Sequence, residues 1–196
     1  MFKIAEDKKT HLARAAVEVI AREGFHNATI DKISSHAGVS VGTIYNYFLH
    51  KNDILDYIFK KEYEKRKNYF MELKKTNIHP LEKLKRIMEM HFMEVKKHPS
   101  VFIVLLRERG MPKVCHFAGI SQFEGLPGFI EDIMNQGVDE GTLRPCDVGL
   151  ISLVLFGAIE ALMSRYLLEL EKEGSSKLLD NAAEETVTLL YQGLRN

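Results

Sequence analysis

Apolar residues recur along the first third of the chain at helical spacing. Leu12, Ala15, Ala16, Val19 and Ile20 fall at i, i+3, i+4, i+7 and i+8, the stripe of an amphipathic helix, and Gly24 supplies a stop. A first helix is therefore predicted over about residues 6 to 23. Thr29 is a candidate N-cap for a second, short helix that turns Ile30, Ile33 and Ala37 inward and ends near His36 or Ala37. Gly38 then provides a turn, and Ser40 caps a third short helix carrying Ile44 and Phe48 inward, four residues apart. A longer helix starts at His50 or Lys51 and keeps Ile54, Leu55, Ile58, Phe59 and Tyr63 on one side until Thr76-Asn77-Ile78-His79-Pro80 breaks it.

The remainder continues in the same period. Helices are predicted around 81 to 97, from Val101 to Arg109, near 129 to 140, over 147 to 172 and over about 178 to 194. Between the second and third of these, Gly110, Pro112, Gly119, Gly125, Pro127 and Gly128 crowd an irregular segment. No alternating strand pattern is bounded by turn residues, so the chain reads as all-α, without repeats or low-complexity linkers. The organisation expected is a three-helix module over 1–52 and a helical body over 53–196, joined by the long fourth helix.

Charge changes this picture little. The net charge of the 196 residues is zero, with +2 on residues 1 to 52 and −2 on the rest, the right sign for a nucleic-acid partner but small. Positioned contacts must carry any such case. Cys115 and Cys146 form no CxxC, and Cys115-His116 is adjacency without ligand spacing, so neither a disulfide framework nor a metal site is expected. The N-terminus meets charge before any apolar block of signal-peptide length, and Glu160 and Arg165 interrupt the greasiest run, Val148 to Leu168. A cytoplasmic protein with no membrane partner is expected. Gly119-Ile120-Ser121-Gln122-Phe123 misses the G-x-S-x-G elbow, and GxxxxGK and HExxH are absent, so neither catalysis nor a cofactor is expected.

Residues 29 to 48 hold the more specific chemistry. A helix-turn-helix needs two short helices, a turn that permits positive φ, and apolar residues fastening both to a support. Ile30, Ile33, Ala37, Val39, Ile44 and Phe48 provide the fastening and Gly38 the turn. Ser40, Val41, Gly42, Thr43, Tyr45, Asn46 and Tyr47 are left on or near the outward surface of a helix whose size suits a major groove. Thr43 and Val41 offer methyls for thymine, Thr43 and Asn46 polar atoms for base edges, Tyr45 and Tyr47 hydroxyls for phosphate, and small Gly42 a close approach. Lys51 adds a cation at the start of the fourth helix. Taken singly, such aromatics more often pack and such a lysine is more often just solvated; the conjunction within twenty residues outweighs both.

The run from Ala28 to Leu55, with Glu23-Gly24-Phe25 before it, resembles the signature of the TetR/AcrR family of regulators, most strongly over residues 10 to 59. The resemblance implies phosphate contacts from Thr29, Tyr45, Tyr47 and Lys51, and a base-reading face of Val41, Gly42, Thr43 and Asn46. Asp31 departs from it, sitting where some members place a cation. It also implies a C-terminal effector-binding and dimerisation domain, a palindromic double-stranded DNA operator, and a repressor role.

One reading unit of this size covers about one half-site, so useful affinity calls for a homodimer with units roughly 34–36 Å or a multiple apart. Candidate faces are Leu150, Leu153, Val154, Gly157, Ala161 and Ser164, and, on the last helix, Ala182, Ala183, Val187, Leu190 and Leu194; a stripe packed on its own core is the alternative. The middle segment supplies large, partly flexible apolar groups. Met88, His91, Phe92, Val95, Phe102, Leu106, Phe123, Phe129, Ile133 and Glu160 are the candidate effector residues, for a small apolar or amphipathic ligand. A filled core has the same composition, and the margin for a pocket comes from the resemblance. A weaker similarity, in the spacing of the Gly-rich break and the run from Gln136 to Pro145, is to members answering to fatty acyl-CoA or other lipophilic molecules. Arg107 and Arg109 either hold an anionic head group or cap their helix. A ligand-independent regulator controlled by a protein partner remains the alternative.

Overall fold

The computed structural model describes residues 7–108 and 126–194, the side chain of Leu126 excepted. Among these residues it contains nine helices and no strand: α1 (Lys8–Glu23), α2 (Ile30–Ala37), α3 (Val41–Tyr45), α4 (Lys51–Lys74), α5 (Pro80–Lys97), α6 (Pro99–Glu108), α7 (Leu126–Asp139), α8 (Val148–Glu173) and α9 (Ala182–Leu194). Cys115, His116 and the Gly119–Phe123 run lie outside the described residues, as do the candidate ligand residues Arg109 and Phe123.

Packing divides the chain into two compact units, one holding residues up to Tyr63 together with those from His98 into α6, the other holding Glu64 to Lys97 and α7 to α9. This differs from a single boundary after residue 52. The apolar face of α6, with Phe102, Val104 and Leu105 buried, packs on α1, and hydrogen bonds run along the pair from Ser100 Oγ to Glu18 Oε2 (3.0 Å) and from Arg107 Nη1 to the Ala21 carbonyl (3.0 Å). Arg107 thereby closes the last turn of α1, where orphan carbonyls favour a cation.

The first unit is built on the stripe the sequence predicts. Leu12, Ala16, Val19 and Ile20 of α1 are buried with Ile33, Ile44, Phe48, Ile54 and Leu55. The second unit encloses Leu84, Met88, Phe92 and Val95 of α5, Ile130, Ile133 and Met134 of α7, and Leu155, Ile159 and Met163 of α8. The Gln136–Pro145 run folds back on itself: the amides of Thr142 and Leu143 both donate to the Gly137 carbonyl at 2.9 Å. A Cβ on Gly137 would stand 2.5 Å from Leu143 Cδ1, so glycine is what lets Leu143 close the core here. Arg144 carries the turn to the end of α9, donating to the Leu194 and Gly193 carbonyls, each at 2.8 Å.

α8 is long and apolar enough to cross a membrane by length and composition, although Glu160 and Arg165 lie within it. Its inner face, Ser152, Leu155, Ile159, Met163, Tyr166 and Leu167, is buried, and it packs on α7. Leu150, Leu153, Val154, Gly157, Ala161 and Ser164 are all exposed. Of the stripe named on α9, Ala183 and Leu194 are buried, with α9 packed on α5, while Ala182, Val187 and Leu190 are half-buried; Leu189, 70% exposed, and Tyr191 lie outside.

Candidate functional site

Local hydrogen bonding sets the angle between α2 and α3. Thr29 caps α2 with its side chain, accepting from the Lys32 amide at 3.3 Å, and the residue remains exposed. At the other end Gly38 adopts φ 66°, ψ 36°, its amide reaching the Ser35 carbonyl and that of Val39 the Ser34 carbonyl. This left-handed cap ends the helix within one residue and needs glycine to do so without strain. Ser40 Oγ then accepts from the Thr43 amide (3.2 Å) and pairs with the Thr43 hydroxyl (2.9 Å).

α3 presents Gly42, Tyr45 and Asn46 to solvent, with Tyr47 just beyond its end, while Val41 and Thr43 are half-buried. Only Ile44 within α3, and Phe48 after it, turn inward; Phe48 meets Tyr57 edge-on at 5.7 Å. A Cβ at Gly42 would touch nothing but Ser40 Oγ, at 3.9 Å. The fold therefore makes no demand for glycine at this position.

Lys51 departs from the expectation. Its ammonium turns onto the α1–α2 loop, donating to the carbonyls of Phe25 (2.6 Å), Ala28 (2.9 Å) and, longer, His26 (3.4 Å), and lies 4.4 Å from the centre of the Phe25 ring. Burial lowers its pKa, opposed by the charge of Glu108. Its ammonium is thus turned towards the loop carbonyls. The amides at the start of α4 are also partly engaged, since that of His50 donates to Asp53 Oδ2 at 2.8 Å. Lys51→Met is accordingly expected to lower stability by about 1.5–3 kcal/mol, the range for charged hydrogen bonds. Calorimetry checks this; an unchanged melting temperature would return Lys51 to the surface cations.

A recess of about 60 Å³ lies inside the second unit, between α4, α5, α7 and α8. Its wall is apolar, from Phe70, Ile87, Met88, Met90, Phe129, Ile130, Phe156 and Ile159, with Phe70 and Phe129 stacked at 4.3 Å. One corner is polar. Arg66 Nε donates to His91 Nδ1 at 3.3 Å, which leaves the proton on His91 Nε2, facing Met163 Sδ at 2.8 Å. Burial, and then the Arg66 guanidinium, hold the His91 pKa down at about 3, so the imidazole is neutral.

Residues 12–58 match the family described as bacterial regulatory proteins, tetR family, and residues 77–166 match the tetracyclin repressor-like C-terminal domain. The chain belongs to the TetR family. Over 191 residues, 96% of either chain, it is 29% identical to the fatty acid metabolism regulator protein of Bacillus subtilis. The solved structure of the transcriptional regulator FadR from Bacillus subtilis in complex with stearoyl-CoA superposes with a TM-score of 0.78 at 26% identity, over 93% of this chain and 97% of that one. The fatty acid degradation regulator FadR of Bacillus halodurans gives 0.80 at 25%, over 96% of each.

In this TetR-family chain the recess gathers Met88, His91 and Phe129 from the residues named by sequence. Phe92, Val95 and Ile133 are core residues that do not line it. Phe102 and Leu106 belong to the other unit, because α6 packs on α1. Glu160 is half-buried beside the lining residue Ile159 and is not itself on the wall. Arg66, Tyr69 and Phe70 of α4 went unread. Their spacing, continued by Leu73, is an i, i+3, i+4, i+7 stripe, but it runs through the charged stretch Lys60 to Lys75. Phe156 and Ile159 likewise sit on the inner face of a helix read mainly for its outer one.

Proposed function

We propose that this TetR-family regulator acts as a homodimeric repressor whose hold on a palindromic operator is released by a fatty acyl effector of the acyl-CoA class. The observation that carries the ligand is the recess of the second unit, apolar on its walls and polar at the Arg66–His91 corner. An acyl chain suits the walls and a carbonyl or thioester suits the guanidinium. The relative solved with stearoyl-CoA supports the same class.

Ligand pockets commonly span roughly 300–1,000 Å³, so a recess of about 60 Å³ must widen on binding. Met88 and Met90 on the wall and Met163 behind His91 are flexible side chains suited to such repacking. The small recess is also the one observation favouring a ligand-independent regulator controlled by a protein partner.

On the DNA side, Val41, Gly42, Thr43 and Asn46 are proposed to face base edges, and Thr29, Tyr45 and Tyr47 the phosphates. The outer face of α8 is proposed to meet a second copy rather than lipid: Gly157, Ala161 and Ser164 allow close helix approach, flanked by Leu150, Leu153 and Val154. A regulator of this kind works in the cytoplasm, where the chromosome is.

The deciding experiment selects operator duplexes from random DNA with purified protein, then titrates stearoyl-CoA into the complex. A coupling of about 1–3 kcal/mol would weaken binding roughly 5- to 150-fold. No change with acyl-CoA chains of any length, in operator affinity or thermal stability, would sink the effector reading and leave the protein-partner reading standing.

A further inference from the structure

The α1–α2 loop of the first unit is held by two opposite charges acting on one residue. The Phe25 amide donates to Glu108 Oε1, the last residue of α6, at 3.2 Å, while the Phe25 carbonyl accepts from Lys51 Nζ at 2.6 Å. Both side chains are remote in sequence, 83 and 26 residues away. Glu108 is 1% exposed, and among the described residues its Oε2 is buried without a hydrogen-bond partner. A carboxylate in that position is expensive to bury unless a cation answers it. Lys51 lies on the other side of the Phe25 peptide, and the charge of Glu108 acts on it.

The loop so held ends at Ala28, whose carbonyl also binds Lys51, and the next residue is Thr29, the exposed cap of α2. Its other fastenings are local: Lys32 Nζ donates to the Asn27 carbonyl (3.1 Å), and the Ala28 amide to the Gly24 carbonyl (3.1 Å). Among the described residues Glu108 is the sole acceptor for the Phe25 amide, which leads the loop. We infer that Glu108 is a positioning residue for DNA binding: from the end of α6 it fixes the Phe25 peptide, and through it the loop that places Thr29 for its phosphate.

This inference rests on the proposed phosphate contact of Thr29, and the test separates the two. The probe is the duplex recovered by selection with the wild-type protein, and its affinity is measured across salt concentrations for full-length Glu108→Ala, Glu108→Gln and Glu108→Asp. Exchange of the Phe25 amide is followed by NMR in parallel. Glu108→Ala is expected to lose about tenfold in affinity, to flatten the salt slope by about one unit as one phosphate contact is lost, and to expose the Phe25 amide to exchange. Glu108→Gln keeps an acceptor at the same reach and should retain the wild-type slope and Phe25 protection. Glu108→Asp, one methylene short, should behave as alanine does.

A merely structural role would lower the melting temperature of all three without altering the slope or singling out the Phe25 amide. That pattern overturns the inference, as does wild-type affinity and slope in a folded Glu108→Ala. Should alanine fail to fold, the contrast between glutamine and aspartate decides: loss in aspartate with retention in glutamine supports the inference, and any other order overturns it. If Thr29→Val already leaves the wild-type slope intact, the phosphate reading fails first, and Glu108 is left with the loop alone.

Discussion

Replacing Leu153 and Val154 together by glutamate should give a folded monomer that has lost at least about a hundredfold in operator affinity, because linking two half-site readers contributes roughly 10²–10⁴ in avidity. The two side chains are 61% and 59% exposed, so the change removes little from the protein's own core. Two carboxylates per subunit would instead be forced into a desolvated face against a second copy, where an uncompensated charge costs several kcal/mol. Leu155 and Ile159, on the opposite side of α8, are untouched and keep the second unit intact. Sedimentation gives the mass and fluorescence anisotropy the affinity; a dimer with full affinity would move the interface elsewhere on the surface.

The second large effect is a loss of stability in acid traced to one imidazole. Burial holds the His91 pKa at about 3 in the folded protein, against an ordinary value of 6.5. The unfolded chain therefore takes up a proton below pH 6.5 that the native protein refuses until about pH 3. The contribution is fully present above pH 6.5 and is lost as pH falls through that window, at about 1.4 kcal/mol per pH unit. Between pH 6.5 and 5 the wild type should lose about 2 kcal/mol more than His91→Gln, which retains an acceptor for Arg66 but does not titrate. The other seven histidines are common to both proteins and cancel in the difference. Denaturant melts over that range measure it, and parallel pH profiles would mean that His91 is solvated in the native state.

Much of the first unit was legible from the sequence because its signals are local. Thr29 and Ser40 are caps, Gly38 is a left-handed stop, and the stripe of α1 has the period of a helix, all within a few residues of where they act. For Lys51 the sequence announces a charge but not its direction; only the fold shows three carbonyls converging on it. The candidate effector residues were harder still. A recess is a property of four helices brought together, and apolar content alone cannot separate Met88, which lines it, from Val95, which does not. α9 raises a related point: periodicity reports an apolar stripe but not how it is shared between its own α5 and a second copy.

The small size of the recess also sets a threshold. If only a fraction of molecules stands open at any moment, the apparent affinity for an effector falls by that same fraction, however well the open form fits it. If the proposed effector binds here, tight packing around His91 and the stacked Phe70 and Phe129 would work as a gain control, lowering sensitivity without altering the chemistry of recognition. Substitutions that loosen those contacts would retune the concentration at which the regulator responds while leaving its reading of DNA as it is.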